Sequence, residues 1–181
     1  GTNAVASATS GNWMIGIGRN TLALTNTGDN IAIGNDAMQN QGSGGGAYNT
    51  VLGNMAASQM VGGWNNVIVG RMAGPQTAGG ITNQSVLVGE SAGAALNSSN
   101  GDFNTFIGYH AGDAVTSGDY NLLIGHDVDA PSATASYQLN IGNTIYGNLA
   151  TGSVALGTTS PSSGSRLDVN GTGINFSSMI V

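Results

Sequence analysis

Nine short aliphatic runs, each closing on glycine, recur along this chain at nearly even intervals. The closing glycines are Gly18, Gly34, Gly53, Gly70, Gly89, Gly108, Gly125, Gly142 and Gly157. Their spacings are 16, 19, 17, 19, 19, 17, 17 and 15 residues. A period near 17 is about half that of a helical-hairpin repeat of roughly 34 residues. Such a unit cannot bury its apolar face alone and must stack on its neighbours.

Each unit can be counted from its glycine, G. Five units carry Asn at G−4 (Asn30, Asn49, Asn66, Asn104, Asn121) and two carry Ser there (Ser85, Ser153). Five carry Ala at G+3 (Ala37, Ala56, Ala73, Ala92, Ala111). An aromatic often precedes the Asn, as in Ala47-Tyr48-Asn49, Asp102-Phe103-Asn104 and Asp119-Tyr120-Asn121; Trp64-Asn65-Asn66 is a variant. Between the units the chain is Gly, Ser, Asn and Thr, residues suited to tight turns.

Four aliphatic residues between turn signals read as a short strand. The G−1 residue is always Ile, Leu or Val and is expected to face the coil's own core, with G−3 on the same side. Most G−2 residues are apolar too (Ala32, Val51, Ile68, Leu87, Phe106, Leu123, Ala155), and a strand apolar on both faces is buried on both. Glycine at the corner tolerates positive φ and close backbone approach. The Ala beyond it is expected in a second short strand. The fold class expected is all-β: a parallel β-solenoid, or β-roll, of about nine coils rising roughly 40 Å at about 4.8 Å per coil. The repeated Asn side chains are expected to form an amide ladder along the stack.

No stretch has apolar residues at helical spacing, so no helix is available to cover the second apolar face. Sister chains around an axis would cover it, since cyclic homo-oligomers bury identical patches. The expectation is an obligate homotrimer with the G−2 residues near the axis; a dimer satisfies the same argument.

Composition removes other classes. Only 7% of residues are charged and the net charge is −6. The three basic residues, Arg19, Arg71 and Arg166, are too few for phosphate neutralisation, which argues against nucleic acid and anionic membrane surfaces as partners. Without Cys there is no disulfide framework or thiolate metal site. No apolar run approaches the ~20 residues of a membrane span, and no signal peptide is visible.

The units Asn49-Thr50-Val51-Leu52-Gly53 and Asn104-Thr105-Phe106-Ile107-Gly108-Tyr109-His110-Ala111-Gly112 resemble the fibre repeats of bacteriophage tail fibres and tailspikes. These are trimeric proteins whose motif reads N-T-x-[IL]-G-x-x-A-G. The units also resemble the head repeats of trimeric autotransporter adhesins, which form parallel β-rolls. Val154 to Pro161, followed by Arg166-Leu167-Asp168-Val169-Asn170-Gly171, is similar to the segment preceding the self-cleaving intramolecular chaperone of many tail fibres. No chaperone sequence lies within the 181 residues. The organisation expected is a lead-in over 1–13, repeats over 14–160 and a C-terminal segment over 161–181. The resemblance implies a structural, receptor-binding fibre segment on a virion, adhering to host-surface polysaccharide. An adhesin head on a bacterial surface and a polysaccharide depolymerase are the alternatives.

No catalytic constellation can be assembled, and the chain is read as a non-enzyme without cofactor or metal. His110 and His126 fall at coil edges. Asp127-Val128-Asp129 offers two oxygen ligands, but no calcium motif is completed. Asp29, Asp102 and Asp119 read as turn formers accepting backbone N–H bonds. A glycosidase would need two carboxylates about 5–10 Å apart, and a thin coil leaves little room for a cleft. Gly42 to Gly46 lacks the Lys and helix of a phosphate loop. The aromatics Trp13, Tyr48, Trp64, Phe103, Tyr109 and Tyr120 are candidates for two roles. They could wedge between protomers, or stack on a sugar face while neighbouring Asn and Asp bond its hydroxyls. The six Met are expected to fill gaps.

Overall fold

The computed structural model describes residues 1–5, 13–23, 28–40, 45–97 and 101–170. Gly42 to Gly44, Met179, residues 6–12 of the expected lead-in and 171–181 of the C-terminal segment lie outside them. No described residue is helical. The strands are β1 (Ile15–Ile17), β2 (Ile31–Ile33), β3 (Gly46–Ala47), β4 (Thr50–Leu52), β5 (Met60–Trp64), β6 (Val67–Val69) and β7 (Gly80–Ile81). They continue as β8 (Val86–Val88), β9 (Thr105–Ile107), β10 (Leu122–Ile124), β11 (Gln138–Ile141), β12 (Ile145–Asn148), β13 (Ser153–Leu156) and β14 (Leu167–Val169).

The chain is a parallel β-solenoid. Eight aliphatic runs stack in the order β1-β2-β4-β6-β8-β9-β10-β11, all parallel. Register is strict, with each G−2 residue opposite the next: Ala32 pairs with Val51, Val51 with Ile68, Ile68 with Leu87 and Leu87 with Phe106. A second, three-stranded parallel sheet, β3-β5-β7, forms part of the return path. The ninth expected coil does not stack on the eighth. β12 turns back antiparallel to β11, and β13, which carries the ninth run, pairs antiparallel with β12. β14 then pairs parallel with β13.

The strand faces are the reverse of those expected. The G−2 side chains Ala32, Val51, Ile68, Leu87, Phe106 and Leu123 are wholly buried inside the coil. G−1 and G−3 point outward: Ile15 is 50% exposed, Ile17 57% and Ile107 39%. The G−2 residues therefore do not face a trimer axis. The reason lies across the coil. In the first six units G−2 and G+4 trade volume: Gly16 with Leu22, Ala32 with Met38, Val51 with Ala57, Ile68 with Gly74, Leu87 with Gly93, Phe106 with Gly112; Leu123 with Asp129 in the seventh departs from the trade. A Cβ at Gly74 would meet Ile68 at 3.0 Å, one at Gly93 would meet Leu87 at 3.1 Å, and one at Gly16 would lie 3.5 Å from Leu22. Constant sum, not constant size, fills a cross-section at interior density. Uniform aliphatics at G−1 had suggested a core, but they make an even outer face.

The segment after the corner is not a second strand. From the corner at Gly18 to that at Gly108, residues G+2 and G+4 have positive φ while G+1 and G+3 do not: Asp36 at 56° and Met38 at 46°, Met55 at 56° and Ala57 at 50°. The alternation points the G+2 and G+4 N–H groups to opposite neighbours, while the G+3 N–H turns back to its own corner carbonyl, as Ala37 N–H does to Gly34 O at 3.3 Å. Asp36 N–H donates to Arg19 O at 2.8 Å in the preceding coil, and Met38 N–H to Ala56 O at 3.0 Å in the following one. Stacking thus satisfies backbone groups that a strand would pair differently. Ala at G+3 is fully buried on this ribbon. The pattern begins at Gly1, with Asn3 and Val5 at positive φ as its G+2 and G+4 residues.

Gly18, Gly34, Gly53, Gly70, Gly89, Gly108 and Gly125 share φ between 133° and 144°. A Cβ on any of the first six would collide with the next corner's carbonyl oxygen. Gly142 (φ 59°) and Gly157 (φ 76°) depart from this corner, because the chain there leaves the solenoid register. Asn140 replaces the apolar G−2 residue in the eighth coil and closes the core with a polar group, donating to Asp129 O at 2.7 Å and Asn143 Oδ1 at 2.9 Å.

Candidate functional site

Three columns run up one edge of the solenoid. The innermost is formed by the G−4 residues, buried beside the G−2 core. Asn30 Oδ1 accepts the Asn49 N–H and Nδ2–H at 3.0 Å each, and Asn49 Oδ1 accepts the same pair from Asn66 at 3.0 and 2.8 Å. Each amide also donates to the G−7 carbonyl of the next coil: Asn49 to Gly63 O, Asn66 to Thr82 O, Asn104 to Gly118 O, Asn121 to Ala135 O. Where Ser85 interrupts the series it cannot reach that carbonyl, and Thr82 supplies the missing donor, its hydroxyl bonding Gly101 O at 2.7 Å. Ser85 Oγ still accepts the Asn104 N–H at 3.1 Å.

At G−6, side-chain oxygens accept backbone N–H groups from the coil before. Asp102 Oδ1 takes both Asn83 N–H at 2.8 Å and Asn83 Nδ2–H at 2.9 Å, and Asp119 Oδ1 takes the Asp102 N–H at 3.0 Å. Asp29, at G−5 in its coil, accepts from Trp13 N–H at 3.0 Å. The acids at these turns are structural acceptors between coils. Partial burial pushes the Asp102 carboxyl above its ordinary value, against the opposing pull of the Asn83 hydrogen bonds.

The third column sits at G−5, where every described residue from Tyr48 to Tyr137 has positive φ; it is aromatic at Tyr48, Phe103, Tyr120 and Tyr137, with Asn65 and Gln84 between. Phe103 and Tyr120 stack with centroids 4.6 Å apart and planes within 2°; Tyr120 and Tyr137 stack at 4.9 Å and 3°. Both faces of Tyr120 are therefore covered, and only its edge meets solvent. A sugar stacks on a ring face, so Tyr120 cannot serve as the platform expected for it. Tyr137 completes the column and was missed, since the Ser136-Tyr137-Gln138 context lacks the Asn that marked its counterparts. Tyr48 forms a tilted pair at 6.2 Å with Trp64, which stands at G−6 in the next coil. Trp13 stands 87% exposed.

Tyr109 lies after its corner glycine, away from this column. It stacks on His110 at 4.1 Å and on His126 at 4.9 Å. His110 Nδ1 lies 3.0 Å from Asp113 Oδ2 and 3.7 Å from Asp127 Oδ1; His126 Nδ1 lies 2.9 Å from Asp127 Oδ2. Burial raises the Asp129 carboxyl, and its oxygen accepts the Ala114 N–H at 3.1 Å. Among the described residues no group of three or more His, Cys, Asp or Glu is placed to hold a metal ion.

A further candidate surface is the outer face of the long sheet. Over the eight parallel strands its G−1 and G−3 positions are Ile, Val or Leu at every point except Thr50 and Thr105. None is charged. The aromatic column borders this strip along one edge; the other edge carries the Arg19–Asp36 pair (3.2 Å) and the Arg71–Glu90 pair. No protein-family model, curated protein or solved structure matches the chain.

Proposed function

We propose that the chain is a structural and receptor-binding segment of a trimeric fibre of the bacteriophage tail-fibre kind, exposed on the virion and adhering to host-surface glycan. The outer aliphatic strip carries this reading. Monomeric proteins rarely leave a contiguous apolar face of such extent, and one edged by polar residues marks an interaction site. The strip is about three residues wide and eight strands tall, aliphatic in each coil but for Thr50 and Thr105 at G−3, so it fits a copy of itself running in the same direction.

Two distinct apolar surfaces meet at the same edge, the aliphatic strip and the G−5 aromatics. A ring of subunits uses two different patches per chain, whereas a two-fold pair uses one patch against itself. Three chains arranged so that each aromatic column lies against the neighbour's strip cover both. This supports the homotrimer and gives Phe103, Tyr120 and Tyr137 the packing role over the sugar-stacking one. Glycan contact then falls on the remaining surface, and three weak sites on a stiff shaft bind multivalently.

An array of bacterial surface polysaccharides, probed with labelled protein, tests the adhesive half of the proposal. Retention on at least one polysaccharide, weakened by more than tenfold in a monomeric variant, is the expected outcome. Retention on none, or equal retention by monomer and trimer, would contradict it.

A further inference from the structure

We infer that the C-terminal end of the solenoid holds a binding site for an acidic saccharide, with the Arg166 guanidinium pairing the sugar's carboxylate. This rests on the glycan-adhesion reading and names the sugar class and the site. A cavity of about 700 Å³ opens between the loop at 131–136, the β12–β13 turn and the loop at 159–166. That volume lies within the range of about 300–1,000 Å³ common to small-molecule sites. Its lining is rich in hydroxyls and amides, among them Ser132, Gln138, Asn148, Thr151 and Ser162, and contains no aromatic ring. A nucleobase would lack a stacking partner there and an apolar ligand would strand the polar groups. A polyhydroxylated ligand exchanges hydrogen bonds with them.

Charge selects further. In a chain of net charge −6, no Asp or Glu lines this cavity. Arg19 and Arg71 are paired with Asp36 and Glu90. The Arg166 side chain makes no ion pair or hydrogen bond among the described residues, and it lies against Gly152, where an added Cβ would sit 3.3 Å from Nη1. An unpaired guanidinium presents a planar fork of donors matched to a carboxylate.

The walls are held in place before any ligand arrives. Gln138, standing where the Asn ladder ends, donates to Ser132 O and Ala135 O at 2.8 Å each and accepts the Ser132 N–H at 2.8 Å. Asn148 Oδ1 accepts the Ala150 and Thr151 N–H groups. Asp168 Oδ2 accepts the Ser162 N–H at 2.9 Å and its hydroxyl at 2.6 Å, which holds the Asp168 carboxyl below its ordinary value. Pre-ordered walls lower the cost of binding.

The test is calorimetric titration of the full chain with oligosaccharides containing glucuronate or galacturonate, with neutral counterparts in which the carboxylate is reduced to the alcohol, and with inorganic phosphate. The site predicts saturable uronate binding, at least tenfold weaker binding of the neutral sugars, and no displacement by equimolar phosphate. R166Q, whose backbone pairing with Val154 is untouched, should lose roughly 10- to 100-fold in affinity, the worth of a charge-assisted hydrogen bond. R19Q, at the far end of the solenoid, should lose none. Absence of uronate binding at millimolar concentration, equal affinity of R166Q and wild type, or equal binding of phosphate and uronate would overturn the site. If polysaccharide retains wild type and R166Q equally on the array, this site alone falls. If nothing is retained, the adhesive reading falls with it.

Discussion

The ring of Phe106 occupies the space that a side chain at Gly112 would need: a Cβ there would lie 2.5 Å from Phe106 Cδ2. Phe106 is the largest of the fully buried side chains, and Gly112 adopts φ +65° beside it. The pair is one rung of the volume trade that runs through the coils, from Gly16 with Leu22 to Phe106 with Gly112. The interior is thus matched within each coil, while the hydrogen-bond columns match one coil to the next.

Gly112→Ala should be destabilising by about 1–3 kcal/mol from overpacking, with strain at positive φ adding to it. Phe106→Val alone should be destabilising through the cavity it leaves. Combined, the two should cost less than the sum of the singles by about 1 kcal/mol or more, because each relieves the other's defect. Urea melts of the four proteins check this. Strict additivity would contradict the trade.

Thr82 and Ser85 together replace one ladder Asn. Thr82→Val leaves the buried Gly101 carbonyl without its 2.7 Å donor and should cost about 1–3 kcal/mol. Adding Ser85→Asn restores a donor to that carbonyl and an acceptor for the Asn104 N–H, so the double variant should regain most of the loss. A Thr82→Val variant as stable as wild type in denaturant melts would show that the ladder carries no such account.

Ionised Asp102 is disfavoured by burial, so its folded-state pKa lies above the unfolded one. The folded protein then holds the proton more tightly, and this group's contribution to stability falls as pH rises through the interval between the two values. Asp102→Asn keeps the acceptor for Asn83 and removes the charge. It should be at least as stable as wild type at pH 7, with the advantage shrinking as pH is lowered toward 4. Thermal melts across that range check the sign; an advantage that grew on acidification would contradict it.

The repeat, the parallel solenoid, the Asn column and the acids as turn acceptors were all legible, because each depends on residue type at fixed spacing. The facing of the strands was not. Inside and outside differ by one residue in a period of two, and both sides are apolar here; the cue was the reciprocal size of G−2 and G+4, which invariance at G−1 obscured. The hairpin β11–β12 was hidden because Leu139-Asn140-Ile141-Gly142 reads like any other run. The aromatic stacking was hidden because sequence places rings at one position without showing that one coil spacing is also one stacking distance. The cavity at Arg166 is assembled by three loops between 131 and 166 that the solenoid repeat would have stacked in separate coils, and only the turn back at β12 brings them together.

The central claim is that sister chains cover the outer strip of Ile, Val and Leu. Sedimentation equilibrium of the chain at micromolar concentration tests it most directly, beside Val88→Glu, which places a charge mid-strip without touching the coil interior. The account predicts a wild-type mass three times 17.9 kDa and a V88E variant that keeps its β-sheet circular dichroism while dissociating to monomers. A wild-type protein that sediments as a folded monomer would contradict it.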